Sequence, residues 1–255
     1  MEINKGKGKT MKEKLLKSLH ELGVGSGDIL LVHSSMKAIG TTLSAEEIID
    51  ILQEAVGEEG TLLLPALTYG NVTKENPVFI TSETVPCIGL LPRTFLNMPG
   101  VIRSTHPTHS VCARGKRAKE LTEAHHLDRT PVGKNSPFMK LIDFGGKLIF
   151  IGEILDSCTF IHGVEENVGT DYVLTKDKIH YVVDGEDTYH YSHDFRGWGA
   201  EYSRIKDILD DGELIRGSFG QAPCYVVDPK ALKEKASKKI KEDMHYFVED
   251  ISTYE

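Results

Sequence analysis

His162 and Glu165 stand three residues apart in the segment Leu155-Asp156-Ser157-Cys158-Thr159-Phe160-Ile161-His162-Gly163-Val164-Glu165-Glu166. On a helix, residues at that spacing share a face. An imidazole with a carboxylate to orient it is the pairing a general base needs. A bare H-x-x-E pattern is most often a solvated helix pair. What singles this one out is its place directly after the apolar run Lys147-Leu148-Ile149-Phe150-Ile151-Gly152, which reads as a buried strand. Asp156, Ser157 and Thr159 are placed to cap the helix that would follow. Cys158 lies four residues before His162, so a thiol–imidazole dyad is open to it. The ordinary reading of a lone cysteine among apolar neighbours is a small buried hydrophobe.

Two further segments carry chemical side chains. Arg103-Ser104-Thr105-His106-Pro107-Thr108-His109-Ser110 offers two histidines and an arginine. Pro107 disfavours a helical conformation at His106, so the spacing fits a pocket-lining loop with Arg103 near an anion better than a helical metal site. Val32-His33-Ser34-Ser35-Met36-Lys37-Ala38-Ile39-Gly40 follows the first strand, and its hydroxyls, backbone amides and lysine suit a phosphate. It lacks the glycine pattern of a P-loop or a dinucleotide fingerprint.

The elements that must hold these groups alternate between strand and helix. Met11, Leu15, Leu16, Leu19 and Leu22 recur at helical spacing up to Gly23, and Ile29 to Val32 is a short buried strand. Ser44 and Glu47 form a capping box ahead of a second amphipathic helix, and Thr61 to Leu64 is a second strand. Residues 70–87 read as loop, 89–96 as a short helix, 110–113 as a strand and 116–121 as a helix. Ser136-Pro137 starts a short helix through Ile142. Lys178 to Asp184 and Thr188 to Ser192 alternate around Asp184-Gly185, a hairpin pattern. Residues 201–209 read as helix, 224–227 as a strand, and Asp228-Pro229 opens a final lysine-rich helix. The fold class is α/β: a three-layer sandwich around a central mixed sheet, with a smaller insertion containing the hairpin. The chain reads as one domain over 1–255, with 1–10 expected to be flexible.

Composition bounds the partners. The net charge of −8 argues against nucleic acid, whose phosphates need a basic face. The first ten residues have no apolar core and no run is long enough to span a bilayer, so no membrane partner is expected. Four scattered cysteines without a C-x-x-C pair fit a reducing compartment, and a cytoplasmic location is the expectation.

Read together, LLVHSSMKAIG (30–40), GTLLLPALTYG (60–70), RSTHPTHSVCARG (103–115), SPFMKL (136–141), GKLIFIGEILDSCTFIHGVEE (146–166) and RGSFGQAPCYVVD (216–228) resemble the aminoglycoside 3-N-acetyltransferase family, in the family's order and across nearly the whole chain. The resemblance implies a transferase moving an acetyl group from acetyl-CoA to a small-molecule amine, the 3-amino group of an aminoglycoside or a related amine, by direct sequential transfer without metal. It implies catalytic roles for His162 as base and Glu165 as its partner. It implies that His33, Ser34, Ser35, Met36 and Lys37, with Arg103, Ser110 and Val111, meet the donor. Tyr69, His106, His109, Asp156 and Glu166 would line the acceptor side. Homodimerisation is left open. Resistance enzymes often carry Glu-Ala after the proline, where this chain has Thr108-His109, so the departure touches the acceptor side. The alternatives are a metal-dependent hydrolase using His106, His109 and His162, a cysteine acyltransferase working through Cys158, and a CoA-binding protein without catalysis.

Overall fold

The computed structural model describes the backbone of residues 2–252 and the side chains of residues 10–252. Its strands in chain order are β1 (Ile29–Ser34), β2 (Thr61–Pro65), β3 (Val78–Phe79), β4 (Ile102–Arg103), β5 (Val111–Gly115), β6 (Lys147–Ile151), β7 (Ile179–Val183), β8 (Glu186–His190), β9 (Trp198–Ala200), β10 (Leu214–Phe219), β11 (Ala222–Val227) and β12 (Val248–Asp250). The helices are α1 (Glu2–Glu21), α2 (Met36–Ile39), α3 (Ala45–Val56), α4 (Leu90–Leu96), α5 (Ala118–Thr122), α6 (Pro137–Lys140), α7 (Thr159–Val168) and α8 (Pro229–Glu242). The flexibility expected of 1–10 concerns side chains that, for residues 1–9, lie outside the description.

Seven strands form the central sheet in the order β10-β11-β6-β1-β2-β5-β4. The middle three, β6, β1 and β2, run parallel, and an antiparallel pair flanks them on each side. The apolar runs are continuous because both faces are covered. Leu30, Val32, Leu62, Leu64, Ile149 and Ile151 pack in one core with residues of α1, α3 and α4. Their alternating neighbours Ile29, Leu31, Leu63, Leu148 and Phe150 pack in a second core with residues of α5, α6, α7 and α8. The three-layer sandwich expected from the sequence is the observed architecture.

Caps fix the helix starts. Ser44 accepts from Glu47 N while Glu47 accepts from Ser44 N, closing the capping box of α3. Ser136 caps α6 ahead of Pro137, and Asp228 caps α8 ahead of Pro229. The start of α7 differs from expectation. Its N-cap is Cys158 and no side chain caps it. A 3-10 turn over Leu155–Ser157 carries Asp156 outward, where its Oδ1 accepts from Ser203 N at 2.7 Å and so cannot turn back to the helix.

The insertion is a three-stranded sheet in the order β3-β7-β8. Asp184 and Gly185 join β7 to β8 with positive φ at both positions, 51° and 90°, as a two-residue hairpin turn of that hand requires. β3 falls within the segment read as loop. Its two residues are too few to show a period, and they are placed by pairing with β7 through Val78↔Val182 and Phe79↔Val183 and by packing of Phe79 with Val72 and Tyr181. β9 pairs with β12 in a separate ribbon, and the segment 201–209 forms a 3-10 helix over Tyr202–Asp207.

Candidate active site

β6 ends at Ile151, and the turn after it delivers α7 with His162 on its second turn. His162 Nδ1 lies 2.7 Å from the hydroxyl of Tyr202 and 3.3 Å from Glu165 Oε2. Glu165 is fully buried, and its carboxylate is satisfied by two phenols: Tyr172 donates to Oε1 at 2.8 Å and Tyr202 to Oε2 at 3.0 Å. A buried charge needs such donors to persist. Because the Tyr202 hydroxyl donates its proton in a hydrogen bond to Glu165, its oxygen accepts the Nδ1–H of His162. That tautomer leaves Nε2 with its lone pair free. The imidazole is partly open, 18% exposed as a side chain, and is framed by the rings of His193 at 4.5 Å, Phe195 at 5.0 Å and His109 at 6.4 Å.

Beyond His162 the wall is built of imidazole. His193 packs on His109 at 4.5 Å, His109 on His106 at 6.3 Å, and His106 on His125 at 4.9 Å and His190 at 5.1 Å. Burial pushes all five below the ordinary imidazole value, His125 to about 3 and His190 to about 4. They are therefore neutral at pH 7. His106 Nδ1 accepts from His109 N at 3.1 Å and Thr108 N at 3.3 Å, which ties that atom to its own loop. Among the described residues no three His, Cys, Asp or Glu side chains are grouped so as to hold a metal ion, so the hydrolase alternative lacks a ligand set. Cys158 is fully buried and its thiol is pushed up to about 12 by desolvation. It belongs to the core under the sheet and not to a nucleophilic dyad.

The loop after β1 lies beside the same centre. His33 is buried, stacks on Phe150 with ring centroids 4.9 Å apart, and is held down to about 3 by burial and by the neighbouring His162. Its Nε2 has no hydrogen-bond partner. Ser35 caps α2, donates its N–H to Ile151 O at 2.8 Å, and is followed by half-buried Met36 and exposed Lys37. Ile39 O accepts from Gln221 N at 2.9 Å, so the loop is slung between β6 and the β10–β11 turn. His33, Ser34, Ser35, Met36 and Lys37 therefore stay together at the mouth of the sheet. Gly152, at φ 117°, lets the chain turn there, since an added Cβ would stand 3.2 Å from Ser35 Cβ.

Arg103, Ser110 and Val111 are placed differently from the donor-facing role expected of them. Arg103 spends four of its five N–H groups inside the fold, on Ser110 Oγ, Thr81 O, Thr84 O and Ala66 O, and lies over the Phe79 ring. It ties the insertion to β2 and cannot also clasp an anion. Ser110 donates to Ala66 O, and Val111 is a fully buried core residue. On the expected acceptor side, Tyr69 is half exposed and faces His109 at 6.0 Å, whereas His106 is buried behind His109. Asp156 is exposed at the turn. Glu166 accepts from Val132 N at 2.9 Å, pairs with His193 Nε2 at 2.7 Å, and is pushed up to about 7 by burial.

The sequence reading missed Tyr172, His193, Phe195 and Tyr202. They arrive from later in the chain, so no local spacing links them to His162. One local sign exists in the backbone: Phe195 has φ 47°, a left-handed conformation uncommon for an aromatic residue and of the kind that gathers at functional sites.

The family profile described as Aminoglycoside 3-N-acetyltransferase matches residues 31–241. Aminoglycoside N(3)-acetyltransferase III of Serratia marcescens is 31% identical over 250 residues, covering 85% of this chain and 91% of that protein. Aminoglycoside N(3)-acetyltransferase VII of Streptomyces paromomycinus is 30% identical over 263 residues, covering 89% and 90%. The solved AAC-IIIb binary complex with CoASH superposes with a TM-score of 0.77 at 25% identity, covering 91% of this chain and 96% of that one. A profile match over most of the chain, with relatives at 30–31% identity along nearly their whole length, shows that this chain belongs to the aminoglycoside 3-N-acetyltransferase family.

Proposed function

We propose that this chain transfers an acetyl group from acetyl-CoA directly to an amine, the 3-amino group of an aminoglycoside or a related small amine, with His162 as general base. The observation that carries the reading is the His162–Tyr202–Glu165 arrangement, in which Nδ1 is engaged and Nε2 is left as the basic atom. The names of the Serratia and Streptomyces relatives support the acceptor, and the CoASH complex of AAC-IIIb supports the donor.

An ammonium ion has no lone pair, so the acceptor must lose a proton before or during attack. Nε2 of His162 takes that proton, while Tyr202 and Glu165 hold the ring and stabilise the imidazolium that forms. The new N–C bond forms at the thioester carbonyl and the C–S bond breaks; of the two protons the ammonium nitrogen gives up, one reaches the departing CoA thiolate by way of His162 and the other passes to solvent. Ser34, Ser35 and Lys37 would receive the donor, with the short loop after β1 open beside His33. Buried, neutral imidazoles around the base exclude water without competing for the proton.

Release of free CoA thiol, followed with aminoglycosides that carry or lack a 3-amino group, tests the proposal. Among the aminoglycosides, turnover confined to those with a 3-amino group, with intersecting initial-rate lines, is the expected result. Turnover independent of the 3-amino group would reject that position as the acceptor, and parallel lines would reject direct transfer.

A further inference from the structure

Lys74, Lys176, Lys178 and Arg196 line one cleft of about 350 Å³ in the insertion lobe, with Asp177 the single carboxylate among the lining residues. In a chain of net charge −8 this is a local reversal of sign. Among the described residues none of the three lysines is in an ion pair; Lys178 Nζ lies 5.5 Å from the Tyr191 ring. Arg196 donates to Asp194 Oδ1 at 2.9 Å from a side chain that is 85% exposed. Gathered positive charge in a concave place is repulsive until an anion enters.

The cleft is joined to the base by one short stretch of chain. Thr175, which also lines the cleft, donates its N–H to Ser192 O at 2.8 Å and accepts from Ser192 N at 3.1 Å. His193 and Phe195 then lie against His162, and Arg196 is the next residue. Near His162, Glu165 is held by Tyr172 and Tyr202, and Glu166 Oε1 is held by His193 and Val132 N while its Oε2 is buried without a partner. Imidazole and aromatic rings thus frame His162, and the cationic cleft begins at Arg196, one residue after Phe195. The expected donor loop hangs from other elements, β6 and the β10–β11 turn.

We propose that this cleft is a subsite for a phosphate carried by the acceptor, so that amino sugars bearing a phosphate are substrates. The inference rests on the acetyl-transfer reading of His162. Phosphate could also come from the donor, and the test separates the two sources.

The full-length protein is titrated calorimetrically with glucosamine, glucosamine 1-phosphate and glucosamine 6-phosphate, and CoA release is measured with each. A phosphorylated sugar is expected to exceed glucosamine in affinity and in kcat/KM by about tenfold or more, with the gap shrinking as salt rises. The doubly charge-reversed variant Lys176→Glu/Lys178→Glu is expected to lose that preference while the KM for acetyl-CoA stays in place. Equal binding of all three sugars overturns the proposal. So does a variant whose KM for acetyl-CoA rises while the sugar preference survives, because the cleft then holds the donor's phosphates. Phosphate-dependent binding that the variant abolishes, with no CoA released by any amine, would leave the subsite standing and remove the acetyl-transfer reading.

Discussion

The hydroxyl of Tyr202 lies 2.7 Å from Nδ1 of His162, bridging that ring to a fully buried glutamate from a position forty residues further along the chain. The phenol is itself buried, and its proton is held tightly by the carboxylate beside it. Tyr202→Phe keeps the ring and removes only the bridge. Losing both hydrogen bonds of the bridge, of which the one to the charged group is worth roughly 1.5–3 kcal/mol, is expected to cut kcat by about 10- to 100-fold. The KM for acetyl-CoA should not move. An unchanged kcat would show that Glu165 alone orients His162.

His162→Ala removes the base and is expected to lower turnover by about 10²–10⁴-fold, the usual contribution of a positioned base. Near-normal CoA release by this variant would end the assignment. Glu165→Gln is the informative companion, because it keeps the volume and takes away the charge that two tyrosines serve.

Six histidines, His33, His106, His109, His125, His190 and His193, are held below the ordinary value of 6.5 chiefly by burial. The unfolded chain binds their protons near pH 6.5, whereas in the folded chain His190 binds one only near 4 and His33 and His125 near 3. Their contribution to stability is complete above pH 6.5 and is lost as pH falls, at up to about 1.4 kcal/mol per group per pH unit. Glu166 works in the opposite sense: raised to about 7, it favours the fold below its usual 4.5 and loses that as pH rises through 7. Six groups outweigh one. Circular dichroism should show steep acid unfolding between about pH 4 and 6, where a domain of ordinary stability exhausts its reserve. A melting temperature at pH 4.5 equal to that at pH 7.5 would contradict this.

Gly163 sits where α7 presses on the segment before α6. An added Cβ would stand 2.5 Å from Met139 Sδ and 2.9 Å from Val132 O. Alanine gains about 1 kcal/mol of helix propensity, but overpacking of this kind costs about 1–3 kcal/mol, and the backbone oxygen has little room to yield. Gly163→Ala should lower the melting temperature and, because His162 is its neighbour, kcat as well. An unchanged melting temperature would show that the loop around Val132 gives way freely.

Cys158→Ser should leave kcat in place, since the thiol is buried and protonated. It should cost about 1–3 kcal/mol in stability for a hydroxyl placed in the core. Loss of turnover in a folded variant would restore the cysteine mechanism.

Legibility followed physical range. β1, β2 and β6 could be read because sandwiched strands are continuously apolar, and α3 and α8 because caps are local. β10 could not: Arg216, Gly217 and Ser218 are exposed mid-strand and leave no alternation. β3, β9 and β12, two or three residues long, exist only through their partners. Within the site, His162 and Glu165 were visible as a helical pair. Arg103 looked like an anion ligand because its commitment to Thr81, Thr84 and Ala66 is made across the fold. Tyr202 and Phe195 reach the base only through tertiary packing, which no spacing rule encodes.

In the stretch from Ser192 to Arg196, His193 and Phe195 touch His162 while Ser192, through Thr175, and Arg196 border the cationic cleft; the loop after β1 is held instead by β6 and the β10–β11 turn. If the cleft serves the acceptor as proposed, substitutions along this stretch would change what is modified while the hydrogen bonds that hold the loop after β1 stay in place.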